Sequence, residues 1–154
     1  MCVLFFVGDN MDFINEAYKE ALKACKKDEV PVGAIIVKNG KIISRGYNQK
    51  EGKRNAIKHA EIIAIEKACK KLKTWHLNDC ELYVTLEPCL MCCGAIIQSR
   101  IKKVYYGVKS ERFGYIESVD KLFNKNTHSM EEVKNLNNQD CLELLQKFFK
   151  NKRK

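Results

Sequence analysis

His59, Glu61, Cys89 and Cys92 are the residues of this chain whose types and spacing can do chemistry together. One imidazole and two thiols supply three zinc-type ligands, one short of a closed tetrahedral site. Structural zinc sites usually fill all four positions with protein atoms, whereas catalytic sites leave one for water. Glu61, two residues after the histidine, gives that open position a purpose. A carboxylate beside a metal-held water can move protons, which marks a hydrolytic centre. Cys80 or Cys93 would instead close the site as a structural one, and Glu61 would then have no task.

Two helix starts must position these groups. Ile62, Ile65, Cys69 and Leu72 follow His59 at helical period, so His59 and Glu61 open a helix. Two residues apart, they do not share a helix face, so one can hold the metal while the other reaches the water. Pro88 suits the first position of a second helix, where its missing N–H has no partner in any case. Cys89 and Cys92 then share a face at the positive end of that helix, which favours thiolates. The order of residues resembles the H-x-E…P-C-x-x-C signature of the zinc-dependent nucleobase and nucleoside deaminases.

The rest of the chain fits a single domain. Its 154 residues, 45% hydrophobic and 31% charged, are enough to bury a core. No apolar stretch approaches the ~20 residues of a membrane span, so no membrane partner is expected. A net charge of +9 favours a polyanionic one. Of the eight cysteines, Cys25, Cys69 and Cys141 fall on the apolar stripes of predicted helices. With no secretory signal, reduced thiols and a cytoplasmic location are expected rather than disulfides. Residues 1–10 lack a basic n-region and a cleavage site, and read as an extension from an upstream start. Met11 would then open a domain spanning 11–154.

Taken in order, Asp12 caps a helix to about Lys27, with Phe13, Ala17, Ala21, Leu22 and Cys25 inward. Strands Val32–Val37 and Ile42–Tyr47 flank an Asn39-Gly40 turn of the type I′ kind. A polar loop, 49–58, leads to the His59 helix. Strand Leu82–Thr85, the Cys89 helix to about Ser99, and strand Val104–Val108 follow. A short helix near Val119–Phe123 and a strand over Met130–Leu136 come next. Asp140 caps the last helix, with Cys141, Leu144, Leu145, Phe148 and Phe149 as its apolar stripe. Strands followed by helix–strand units imply a three-layer α/β domain with helices on both faces of a mixed sheet.

EVPVGAIIV (29–37), HAEIIAI (59–65), LYVTLEPCLMCCGAI (82–96) and SRIKKVYYG (99–107) resemble the bacterial tRNA-specific adenosine deaminases. The Phe148-Phe149 pair before a basic tail resembles that family's C-terminal helix. The resemblance implies a cytidine-deaminase-like α/β/α fold with a five-stranded sheet, one Zn2+ per subunit and a homodimer. It also implies conversion of the wobble adenosine to inosine in the anticodon stem-loop of an arginine tRNA. Carried over by position, His59, Cys89 and Cys92 match the zinc ligands and Glu61 the proton shuttle. Asn48 matches the amide that holds the purine, and Val30 the pocket wall. Read without the resemblance, Asn48 is an ordinary strand-end turn former.

Two loops depart from the family. Ala56-Ile57-Lys58 replaces a Pro-Thr-Ala segment, and Ser110 stands where an aspartate commonly contacts RNA. The alternative substrates are a free base or nucleoside (guanine or cytosine) or single-stranded DNA. A zinc module that binds nucleic acid without catalysis is a third reading. Lys53, Arg54 and Lys58 flank the first site helix, and Lys147, Lys150, Lys152 and Arg153 crowd the C-terminus. With Ser110 and Arg112 these are the candidate RNA contacts, although such a tail also suits a solvated helix end. Phe113 and Tyr115 either stack on splayed bases or, more commonly, pack within their loop. Cys93 points into the core, and His76 and His128 read as surface or turn residues.

Overall fold

The computed structural model describes residues 9–125 and 129–152. His128, Arg153 and the first eight residues of the expected 1–10 extension lie outside the described residues. Five strands run β1 (Gly33–Lys38), β2 (Lys41–Tyr47), β3 (Cys80–Leu86), β4 (Lys103–Val108) and β5 (Glu132–Asn135) along the chain. Their order across the sheet is β2-β1-β3-β4-β5. β1 pairs antiparallel with β2 and β3, while β3–β4 and β4–β5 are parallel, so the sheet is mixed. The helices are α1 (Asn10–Lys26), α2 (Lys50–Lys53), α3 (Ala60–Leu72), α4 (Leu90–Gln98) and α5 (Gln139–Lys152). This is the three-layer fold that the element pattern implies.

Side-chain alternation along the strands divides the core between the two faces. Ile36, Leu82, Val84, Val104 and Tyr106 pack with Ala60, Ala64 and Ala68 of α3 and with Cys93 and Ile96 of α4. Ile35, Val37, Tyr83 and Tyr105 pack with Phe13, Ile14 and Ala17 of α1 and with Cys141 and Leu145 of α5. Asn39 and Gly40 both have positive φ, as a type I′ turn requires. A register shift at Ile36/Val37 adds a bulge just before that turn.

The ends of several elements differ from the periodic reading, and at α1 and α5 the reason is a neighbouring side chain that does the capping. Asp9, not Asp12, caps α1, and Asp12 returns a bond to the Asp9 N–H as the other half of a capping box. Asn138, not Asp140, caps α5 by accepting from the Cys141 N–H at 3.0 Å. Cys89 occupies the cap position of α4, so Pro88 precedes the helix instead of opening it. The expected helix near Val119–Phe123 is one 3-10 turn, Leu122–Asn124, and the final strand is only Glu132–Asn135. The α3 face that packs inward is Ala60, Ile63, Ala64, Ile65 and Ala68, with Ile62 only half-buried.

Small residues bring α3 onto β2. A Cβ on Gly46 would lie 2.6 Å from the Ala60 carbonyl oxygen and 2.9 Å from the Ala64 nitrogen. The Ser44 hydroxyl donates to the Ala64 carbonyl at 2.8 Å, fixing the same contact. Gly46→Ala must therefore push α3, and His59 ahead of it, off the sheet. The expected cost is about 1–3 kcal/mol in urea unfolding. Gly94→Ala, which meets nothing within 4 Å on α4, should instead be neutral or stabilise by about 0.5–1 kcal/mol.

Candidate metal centre and substrate pocket

α3 and α4 follow β2 and β3, whose C-termini lie at the same end of the sheet, and the residue capping each helix carries a ligand. His59 and Cys89 are in extended backbone at these cap positions, with no side-chain bond to their own helices. Their side chains are free to face each other. The His59 Nδ1 lies 3.7 Å from the Cys89 Sγ and 3.5 Å from the Cys92 Sγ. All three ligand atoms fall within 4.8 Å of one another, and no other such group of three occurs among the described residues. Cys80 and Cys93 stay outside it, and the Cys93 thiol turns to the Pro88 carbonyl at 3.6 Å. Reduced cysteines hold throughout the described residues.

Electrostatics fit this donor set to a soft divalent cation. Hydrogen bonding from Cys92 and from His59 draws the Cys89 thiol down to about 4, while the same bond pushes Cys92 up. His59 is raised by its bond to Cys89. Glu61 is buried, 3% exposed, and burial pushes its carboxyl up to about 7. Two thiols and an imidazole beside a buried carboxyl are the donor set and the acid that a hydrolytic zinc centre would use. The third, catalytically idle reading of the site gives this buried acid nothing to do.

Asn48 and Val30 adjoin each other. The Asn48 amide donates to the Val30 carbonyl at 3.4 Å, and its own Oδ1 is buried with no partner in the structure. A buried acceptor without a donor costs about 1–3 kcal/mol, which a ligand N–H would offset. Among the candidate RNA contacts, Arg112, Lys147, Lys150 and Lys152 are exposed and Ser110 is half-buried. Lys152 pairs with Asp28 at 2.7 Å, which sets the last turn of α5 against the chain entering the Val30 segment. Exposed His76 stacks on Trp75 with ring centroids 3.7 Å apart, as a surface residue.

Two further carboxylates, which periodicity and metal spacing both passed over, hold the loops around the centre. Glu29 accepts from the N–H groups of Glu51 and Gly52 at 3.0 and 2.7 Å, pinning α2 inside the loop read as irregular. Glu87 accepts from the N–H groups of Ser110, Ile116, Glu117 and Ser118, at 2.8–3.1 Å, and from the Ser118 hydroxyl. Burial alone would raise its carboxyl, but these donors hold it below the usual range. Gly114 leaves room for this carboxylate, since a Cβ there would overlap it. The signal was present in the sequence as an acid between a buried strand and the proline that precedes a ligand.

Comparisons with known proteins agree with this geometry. The MafB19-like deaminase family matches residues 8–153. The chain is 42% identical over 144 residues to the tRNA-specific adenosine deaminase of Bacillus subtilis, covering 92% of this chain and 89% of that one. It is 45% identical over 141 residues to the enzyme of the same name from Rickettsia bellii, covering 89% and 97%. A structure solved in work on A-to-I editing by tRNA:A34 deaminases superposes with a TM-score of 0.84 at 37% identity. That match covers 88% of this chain and all of the other.

The raised Glu61 carboxyl makes the metal-free protein sensitive to pH. Its folded value of about 7 lies above the ordinary 4.5, so the stability it contributes is complete below about pH 4.5 and lost as pH rises through 7. In chemical unfolding of metal-free samples, wild type should lose up to on the order of 3 kcal/mol relative to Glu61→Gln over that window. A difference that does not vary with pH would contradict the assignment.

Proposed function

The chain belongs to the tRNA-specific adenosine deaminases, and on that premise we infer that it converts adenosine to inosine at the wobble position of a tRNA anticodon. An arginine tRNA is the substrate we propose. The observation that carries this reading is the convergence of the His59, Cys89 and Cys92 ligand atoms, with the buried Glu61 two residues from His59. One zinc ion per subunit would be held by His59, Cys89 and Cys92. Such an ion would lower the pKa of the attacking water from 15.7 towards about 7.

The chain's own groups do the rest. Asn48 presents a buried, unpartnered acceptor beside Val30, suited to the polar edge of a purine that has left its stack. Glu61 takes a proton from the water as its oxygen bonds to C6 and hands that proton to the ring nitrogen. It then carries the water's second proton to the departing amine, so that ammonia leaves and a carbonyl remains. A buried carboxyl beside the reacting atoms can act first as base and then as acid. Lys53 of α2, Lys58 ahead of α3 and Lys147, Lys150 and Lys152 of α5 would follow the phosphates, making affinity salt-dependent.

We further propose a homodimer and a cytoplasmic location. The seven free cysteines of the described residues suit a reducing compartment, and no helix among these residues is long and apolar enough to cross a membrane. Light scattering across a dilution series should give twice the chain mass, and a monomer at every concentration refutes the dimer.

The test of activity offers zinc-loaded protein an arginine tRNA transcript with adenosine at the wobble position, alongside free guanine, cytosine and single-stranded DNA. Inosine confined to that position is the expected product. Glu61→Ala should keep its zinc, by metal analysis, while turnover falls by about 10²–10⁴-fold. Robust turnover in that variant overturns the shuttle, and ammonia from free bases with the tRNA untouched overturns the substrate.

A further inference from the structure

The loop after β4 is built as a rigid arm over the centre. Its middle is tied to the metal-ligand segment by a bridge between Gly114 and Cys89 and by the Tyr115 N–H donating to the Pro88 carbonyl at 2.9 Å. Its two ends are drawn together by the four N–H groups and one hydroxyl that share the Glu87 carboxylate. Tyr115 and Ile116 pack into the core beneath. Phe113 does not. It is 63% exposed, the most exposed large apolar side chain among the described residues.

An aromatic ring held in water by such a well-bonded loop is a face on which a partner can stack. The Arg112 guanidinium lies 5.6 Å from the Phe113 ring centroid, so one side of the platform is cationic and planar. Ile57 and Leu90, two residues before one ligand and one after another, are also more than half or about half exposed, at 51% and 50%. Apolar surface thus gathers, along the chain, at the residues beside the ligands. A ring with a guanidinium against it takes a flat, electron-rich, hydrophobic partner next to an anionic backbone, which describes an unstacked nucleobase.

We propose that Phe113, backed by Arg112, is a stacking platform for the nucleobase adjacent to the target adenosine, held in place by Glu87. The inference rests on a polynucleotide substrate. Stacking, unlike hydrogen-bond readout, tolerates any base, so the platform supplies binding and register to the strand while the pocket selects adenine.

The experiment uses full-length zinc-loaded protein carrying Glu61→Ala, so that substrate binds without turning over. The probe is an anticodon stem-loop RNA with 2-aminopurine, or an abasic site, on either side of the target adenosine. On one side, binding should quench 2-aminopurine emission. Phe113→Ala should weaken affinity roughly 5- to 150-fold and abolish the quench, and Phe113→Trp should restore both. Abasic RNA should erase the difference between Phe113 and alanine. If Phe113→Ala binds as tightly as its parent, or loses as much on abasic RNA at both sides, the platform is overturned. Protein with Glu61 intact is run on the same RNA. Failure of that protein to form inosine overturns the polynucleotide reading and the platform together, whereas inosine formation with an indifferent Phe113→Ala overturns the platform alone.

Discussion

Two thiols and a carboxylate share one buried volume beside a single imidazole, and the rest of the architecture answers to that crowding. Left to themselves, the groups divide the charge unequally. Cys89 ionises readily, while Cys92 and Glu61 are pushed towards their neutral forms. A divalent cation held by His59, Cys89 and Cys92 would let both sulfurs ionise together, and Glu61 would be the acid that accepts and returns a proton. The three ligand atoms must be close enough to share an ion, which demands that two helices start at one place.

That meeting is a matter of backbone clearance. β2 carries Gly46 where α3 crosses it, and α3 answers with Ala60, Ala64 and Ala68, so the helix lies close against the sheet. α4 leaves β3 through a three-residue link, Glu87-Pro88-Cys89, too short to stray. Both ligand-bearing caps are therefore set by packing that is remote from the chemistry. The loops beyond them are governed differently. Glu29 and Glu87 are buried carboxylates satisfied almost wholly by backbone N–H donors; Glu29 fastens the single turn of α2, and Glu87 orders the irregular loop after β4. Charge-assisted bonds of this kind are about twice as strong as neutral ones, so a loop can be held as firmly as a helix.

Much of the fold and the metal centre was legible before any coordinates. The helix and strand periods, the Asn39-Gly40 turn and the ligand spacing all act between residues near one another in the chain. Errors collected where a neighbouring residue of the same type competes for a role or where a distant partner intervenes. Asp12 has the right type for a cap, but Asp9 is one turn earlier and takes the role. Asp140 likewise yields to Asn138. Ile62 fits the helical stripe as well as Ile63 does, and only the height of the sheet beneath α3 decides between them. Val119–Phe123 has helical composition, yet its N–H groups turn back to the preceding loop, Val119 to the Gly114 carbonyl and Leu122 to that of Tyr115.

Residue identity alone determined the donor set, its spacing, the acid beside it and the mixed α/β layering, because each depends on local period or on the chemistry of a side chain. Tertiary structure decided that Cys80 and Cys93 stand apart from the ligands, that the Asn48 oxygen is buried without a partner, and that Phe113 faces water while Tyr115 packs. It also revealed Glu29 and Glu87 as the anchors of the loops around the site. The physical reason is common to all of these. A buried acceptor is defined by which donors reach it, and those donors come from segments up to 31 residues away whose approach no linear pattern records.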